Sequence, residues 1–397
     1  MVKTEFKQSE VGTIPKEWSC CTINQKFTIC NNLRLPISDY ERKKIQGKYP
    51  YWGPTRIQDY INQFQLEGIY ALIGEDGDHF LKYKYQSMTQ LTSGKFNVNN
   101  HAHIIKGNSD IETKWFYYFF KNRNITPYIS RQGAGRYKLN KATLEILPIA
   151  IPPIEEQTKI IEIISDIDYL ISSFEKLIEK KKVIKHGTIQ KYFNNQETNT
   201  HLLKDICEKI TKGTTPTSIG KTFTDRGINF VKIECIEKNG QLNLSKMGHI
   251  DEDTNELLKR SELYEGDILF SIAGALGKIA MVNADILPAN TNQALAIIRL
   301  KKSYKYMHNF LFQYLNADIV KKHIGEINVI GAQPNLSLEN IRNIKIPILN
   351  SDVITEIGEQ LKDMDSEITS IESKLSKYRK IKEGMMQELL TGRIRLM

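Results

Sequence analysis

The chain has 397 residues, 40% of them hydrophobic and 25% charged, with a formal net charge of +9 and a pI near 9.0. That length suits two or three domains, and that composition is of an ordinary globular chain rather than a disordered or fibrous one. No apolar run is long enough for a membrane span and no signal-peptide core follows Met1-Val2-Lys3, which argues against a membrane protein and makes the cytoplasm the expected compartment; the positive excess suits a polyanionic partner without requiring one.

Taken in order, residues 12–18 (Gly12-Thr13-Ile14-Pro15-Lys16-Glu17-Trp18) make a turn-rich lead-in whose Trp is expected against the first domain. From Thr22 short apolar segments alternate with turns rich in Gly, Asn and Pro. Gly47 to Pro54 reads as an aromatic loop, and Gly68 to Gly74 and His101 to Ile105 read as buried or half-buried strands. Trp115 to Phe120 is a contiguous aromatic run that favours a core helix, with stacking on bases as the sharper alternative. Gly133 to Lys138 reads as a flexible basic loop, and Leu147 to Pro153 as extended chain, since residues before proline leave the α region.

Ile154 to Phe193 reads as one long helix with Glu155 and Glu156 in its first turn. Ile160, Ile164, Ile167, Ile171, Phe174 and Ile178 follow a 4-3-4-3-4 spacing, the seam of a coiled coil. A second stripe, Ile163, Leu170, Leu177 and Ile184, runs beside it, so the apolar face is wider than a helix pair needs. A polar linker from Asn194 to Thr200 opens a second mixed segment, with strands expected at Ile228 to Ile233, Asp267 to Ile272 and Ala294 to Leu300. A final helix carries Ile354, Ile357, Leu361, Met364, Ile368, Ile371, Leu375 and Tyr378 at 3-4-3-4-3-4-3 spacing, a second seam.

The two halves repeat. Ile171, Phe174, Glu175, Ile178, Ile184, Lys185, Gly187 and Gln190 recur as Ile368, Ile371, Glu372, Leu375, Ile381, Lys382, Gly384 and Gln387, each 197 residues on, as do Asp166 and Asp168 in Asp363 and Asp365. Heptad spacing alone does not produce matched Gly, Asp and Gln. Leu139 and Leu336 share that separation of 197, Pro152 and Pro347 are 195 apart, and Pro36 and Gly47 match Pro216 and Gly227 at 180. The expected fold class is α+β: two mixed α/β domains separated by two long antiparallel coiled-coil helices, with an internal pseudo-twofold repeat. The boundaries are 1–150 and 196–346 for the domains, 151–195 and 347–397 for the helices. Forty helical residues span roughly 60 Å, against about 34 Å for a turn of duplex, so such a rod could act as a ruler between two half-sites.

These residues resemble the specificity subunit of type I restriction-modification systems over essentially the whole chain. The resemblance rests on Gly12 to Trp18, Ile151-Pro152-Pro153-Ile154-Glu155-Glu156-Gln157, Ile206 to Pro216, Tyr264-Glu265-Gly266-Asp267-Ile268-Leu269-Phe270-Ser271 and Gln333-Pro334-Asn335-Leu336, in that order around two duplicated helices. In the first half Gly133-Ala134-Gly135-Arg136-Tyr137-Lys138 replaces the Gln-Pro-Asn version. The resemblance implies two target recognition domains reading a split DNA target, and a coiled coil that sets the gap and docks two methyltransferase subunits, with motor-nuclease subunits joining them. It implies no cofactor on this chain, with S-adenosylmethionine and ATP held by the partners.

No chemistry of its own is legible. Pro152-Pro153 lacks the polar residue that would hold an exocyclic amine, and Gly274-Ala275-Leu276-Gly277-Lys278-Ile279 lacks the spacing and the Ser or Thr of a phosphate loop. Glu112-Thr113-Lys114 and Glu372-Ser373-Lys374 match only the tail of a nuclease motif. The five cysteines form no CxxC pair, and the eight histidines do not cluster, so no metal site is expected. His101 and His103 read as packing or surface residues. Candidates for phosphate contact are Lys43, Lys44, Lys48, Arg56, Lys212 and Lys221, all in loop-like segments, though each alone also fits a solvated charge. Candidate base readers are Asn31, Asn32, Arg34, Arg131 and Arg136, with Lys138 beside them, in the first domain, and Gln333 and Asn335 in the second. Lys180-Lys181-Lys182 favours a solvated helix face. Two rivals remain: a self-contained methyltransferase-nuclease fragment, and a coiled-coil adaptor without DNA.

Overall fold

The structure is a computed structural model that describes residues 5–132, 136–193, 199–237, 239–328 and 335–396. The chain divides into two compact units, Met1–Phe174 with Lys374–Met397, and Glu175–Ser373. Each long helix, Ile154–Phe193 and Ser351–Leu389, gives one half to each unit.

In the first unit two four-stranded sheets pack face to face. One has the order Ile57–Ile61, Gln46–Trp52, Lys95–Val98, Leu66–Glu67, and the other Thr28–Ile29, Ala102–Lys106, Tyr70–Gly74, Thr89–Thr92. Leu72 and Ile104 of the second sheet meet Leu66, Phe96 and Val98 of the first. The alternate residues Ala71, Ile73 and Ile105 face a second core built on the helix Thr113–Phe120. A sheet covered on both faces needs apolar residues in succession, which is why Tyr70–Gly74 shows no alternation. Trp115, Phe116, Phe119 and Phe120 are buried in that second core, which settles the aromatic run as packing.

The second unit repeats this plan. Its sheets have the orders Gly248–Ile250, Ile228–Val231, Ala289–Thr291, Glu262–Leu263 and Cys207–Lys212, Leu295–Leu300, Ile268–Ser271, Ile279–Met281, with the helix His308–Leu315 covering the latter. A parallel pair stands at the same place in both units, with Asn97 opposite Tyr51 and Asn290 opposite Phe230. Both asparagines are fully buried. Each donates to a backbone carbonyl, Asn97 to Gln63 at 2.7 Å and Asn290 to Leu258 at 3.1 Å. Gly213 passes so close to Thr291 that a Cβ would lie 1.8 Å from its carbonyl oxygen, which accounts for the glycine in Thr211-Lys212-Gly213-Thr214-Thr215-Pro216.

Short strands lead into the long helices. Ser19–Thr22 pairs with Pro148–Ile151, and Thr200–Leu202 with Lys345–Pro347. Gln157, fully buried, donates to Pro152 O at 2.9 Å and accepts from Glu112 N at 3.2 Å, tying the first helix turn to its domain. The seam rows serve two surfaces. Ile160 and Ile164 join the core of the first unit, while Ile354, Ile357 and Leu361 join that of the second. Ile178, Ile368, Ile371 and Leu375 are buried, and Ile167, Ile171, Phe174 and Met364 half-buried. Within each unit the helix halves run antiparallel. Phe174 meets Tyr378 at 5.6 Å and Asp168 pairs with Lys382 in the first. Lys182 pairs with Glu372 at 2.7 Å and Lys185 with Asp365 at 2.6 Å in the second. In the second stripe Ile163 packs on the first core, while Leu177 and Ile184 stay exposed.

Three expectations of loop are corrected. Gln46–Trp52 is a strand, with Pro50 opposite Tyr60 in a short regular stretch that has a register shift on either side. Arg136–Lys138 is a strand paired antiparallel with Ser130–Gln132. Lys43 and Lys44 end the helix Asp39–Lys44, which Ser38 caps by accepting from Glu41 N, and Lys212 ends a strand. The five cysteines are unpaired, and burial pushes the Cys207 thiol up to about 12.

Candidate nucleic-acid interface

The first domain holds a polar cluster beneath its candidate loop. His103, buried on the strand Ala102–Lys106, lies 2.6 Å from Leu139 O through Nε2. With the proton assigned there by the network, Nδ1 accepts from Asn31 Nδ2 and from Arg34 Nη2, both at 2.9 Å. Arg34 Nη1 pairs with Glu75 Oε2 at 3.0 Å, and Ile104 N donates to Asn31 Oδ1 at 3.2 Å. Burial lowers the pKa of both His103 and Arg34, and Glu75 opposes that for each. The polar ends of Asn31 and Arg34 are therefore engaged inside the domain. The sequence offers them as free base readers because it does not show the distant His103 and Glu75 that hold them.

The same turn anchors the loop. Leu139 N donates to Glu75 O at 2.8 Å, and Asp76 bridges Lys138. In the second domain Leu336 N donates to Ile272 O at 2.8 Å, and Ala273 bridges Asn335. All four positions are 197 residues apart, so Lys138-Leu139 and Asn335-Leu336 are held at one register on Glu75-Asp76 and Ile272-Ala273. The turns beneath them differ in charge: Glu75-Asp76-Gly77-Asp78 in one, Ile272-Ala273-Gly274-Ala275 in the other. Lys138 Nζ lies 3.8 Å from Glu75, and His101 Nδ1 3.2 Å from Asp76. Asn335 is exposed. Gln333 and the side chains of Arg131 and Arg136 lie outside the described residues.

The remaining candidates are on the surface. Asn32, Lys48, Arg56 and Lys212 are exposed and Lys221 half-buried. Lys43 pairs with Asp39 at 2.7 Å. A feature absent from the sequence reading is the aromatic company of the lysines. Lys44 Nζ sits 4.0 Å from the exposed Tyr40 ring, and Lys48 Nζ 5.4 Å from Tyr49. Tyr49 packs on Phe64 at 5.0 Å, with Lys95 Nζ 4.6 Å from that ring. Cations beside exposed rings are suited to phosphates and base faces. The signal was available in the interleaving of Tyr40, Lys43, Lys44, Lys48 and Tyr49.

His79, beside the acidic turn, is buried against Phe80 with no hydrogen-bond partner for Nε2 among the described residues. Burial pushes its pKa down to about 4 from an ordinary 6.5. The unfolded chain therefore takes up a proton before the folded one does. Stability is intact above pH 6.5 and is lost as pH falls towards 4, by up to about 3 kcal/mol from this group. Denaturant titrations at pH 7.5 and 5 should differ by about 2 kcal/mol from this group, and a H79Q variant should show a shallower pH slope. An equal slope in H79Q would exclude His79 as its source.

Comparison with known proteins agrees with the repeat. The model of the type I restriction modification DNA specificity domain matches residues 15–186 and again 195–378. A putative type I restriction enzyme specificity subunit of Haemophilus influenzae is 27% identical over 406 residues, covering 93% of this chain and 95% of that one. The MjaVIII specificity subunit of Methanocaldococcus jannaschii is 24% identical, covering 98% and 96%. Among solved structures, the S subunit of a type I restriction-modification system from M. genitalium shares the fold at a TM-score of 0.66 and 16% identity, covering 94% and 96%. No helix among the described residues is long and apolar enough to cross a membrane. Two matched domains, repeated in the fold and covering most of the sequence, define the chain: it belongs to the type I restriction-modification specificity subunits.

Proposed function

We propose that each mixed domain reads one half of a split duplex DNA target, while the paired helices keep the gap between the halves and dock two methyltransferase subunits. Motor-nuclease subunits complete the restriction complex. This chain contributes recognition and no catalysis or cofactor of its own, S-adenosylmethionine and ATP belonging to the partners, and it works in the cytoplasm. The observation that carries the reading is the common anchoring of two different loops, at Glu75–Leu139 and Ile272–Leu336, in two copies of one domain. A constant platform under variable side chains is what two half-sites of different sequence require.

Phosphate contact falls to Lys43, Lys44, Lys48 and Arg56 in the first domain and to Lys212 and Lys221 in the second. Asn32, Arg131, Arg136 and Lys138 read bases in the first domain, Gln333 and Asn335 in the second. Asn31 and Arg34 act from beneath, by holding His103 under Leu139. Co-expression with the methyltransferase subunits, followed by genome-wide mapping of methylated adenine, should return a split motif with a constant gap. An undivided motif, or methylation without partners, would sink the proposal.

A further inference from the structure

Two ion pairs on the long helices are copies of one another. Asp168 and Lys185 recur as Asp365 and Lys382, each 197 residues on. In the first unit Lys382 binds Asp168; in the second Lys185 Nζ binds Asp365 Oδ1 at 2.6 Å. The lysines occupy seam rows: Lys185 continues Ile164, Ile171 and Ile178 at intervals of seven, and Lys382 continues Leu361, Ile368 and Leu375. Their side chains are only 15% and 12% exposed. Each carboxylate takes a second bond from the helix at the core of its own domain. Tyr118 Oη donates to Asp168 Oδ2 at 3.1 Å, and Gln313 Nε2 to Asp365 Oδ2 at 2.6 Å.

An apolar seam is nearly indifferent to a slip of seven residues, because the rows repeat at that interval. The charged positions are not indifferent. A slip of seven that set Asp168 against Leu375 would set Lys382 against Ile161 and Lys185 against Gly358, leaving neither lysine opposite a carboxylate. The lysines are the buried members of each pair, since Asp168 and Asp365 keep 31% and 41% of their side chains exposed. A lysine left unpaired in the seam costs more than the pair contributes, so such pairs select register rather than add stability. The bonds from Tyr118 and Gln313 extend that choice to the seating of each domain on its helices.

We propose that Asp168–Lys382 and Asp365–Lys185 are positioning pairs that determine the gap between the half-sites, a part of the specificity that no base-reading loop encodes. This rests on the reading that the helices keep that gap. K382L and K185L complete their apolar rows, so both variants should fold. With the full chain co-expressed with its methyltransferase subunits, each should leave the bases of both half-sites unchanged. Methylation at gaps other than the wild-type one should rise about tenfold, the ratio produced by about 1.4 kcal/mol of lost discrimination. The charge swap D168K/K382D should restore the wild-type gap. A gap as narrow in both leucine variants as in wild type overturns the proposal, whatever happens to total methylation, and so does a swap as permissive as K382L. An undivided motif from the wild-type chain would instead overturn the underlying reading.

Discussion

Replacing Arg395 with alanine should lower the stability of the first unit by about 3–5 kcal/mol, the usual cost of breaking a buried ion pair from one side. Glu156 is 4% exposed and Arg395 7%. The guanidinium donates through Nε and Nη2 to both Glu156 oxygens at 2.7 and 2.9 Å, and through Nη1 to Glu17 at 2.7 Å. Trp18 Nε1 donates to the same carboxylate at 3.0 Å, and Leu396 N at 3.3 Å. The preceding Gly392 has φ +68°, and a Cβ there would meet Pro15 at 2.4 Å. The tail is thus built into the lead-in at Pro15 to Trp18. Alanine would leave Glu156 buried with its charge unmatched, whereas R395K would keep the charge and lose the two-pronged geometry, for a smaller loss. All three tryptophans, Trp18, Trp52 and Trp115, lie in this unit, so denaturation followed by tryptophan fluorescence reports on it. An unshifted midpoint in R395A would show the latch to be without energetic weight.

In the second unit the corresponding experiment is Asp267→Ala, with an expected loss of about 3–5 kcal/mol. Asp267 is 1% exposed and Arg299 14%. Arg299 donates to both carboxylate oxygens at 2.7 Å, and Tyr264 N donates to Oδ2 at 2.8 Å. The guanidinium also lies 3.9 Å from the Tyr264 ring. This explains Tyr264-Glu265-Gly266-Asp267 as a structural motif. Gly266 has φ +86°, and a Cβ would lie 2.7 Å from the His308 ring, so the glycine permits the turn that buries the aspartate. Asp267→Asn retains an acceptor for Tyr264 N and should cost less. Far-UV circular dichroism should show a displaced transition in D267A while the tryptophan signal keeps its midpoint. Displacement of the tryptophan midpoint alone would refute the assignment to this unit.

Both pairs show where reading from sequence stops. Glu156 is visible there as a first-turn acid suited to the helix dipole, because that rule concerns neighbours. Its partner lies at the far end of the chain, and no local pattern connects the two. Asn31 and Arg34 make the same point at the candidate interface: an Asn and an Arg in a turn-rich stretch look available until His103 and Glu75 are placed against them. Lys185 and Lys382 go further. Their match across the repeat is legible, but their pairing with Asp365 and Asp168 requires the antiparallel helices.

By itself the sequence determined the α+β plan, the duplication and the helix from Ile154 to Phe193, whose ends coincide with the double proline before it and the polar run after it. It also pointed to the family. The plan, the duplication and the helix follow from periodicity, turn chemistry and self-similarity, which act over a few residues or repeat at a constant offset. The family follows instead from the resemblance of motifs along the chain. The tertiary structure decided that Pro50 lies within a strand, that two unlike loops are anchored at one register, and which buried charges neutralise one another. Those outcomes depend on desolvation and on partners brought together from distant parts of the chain.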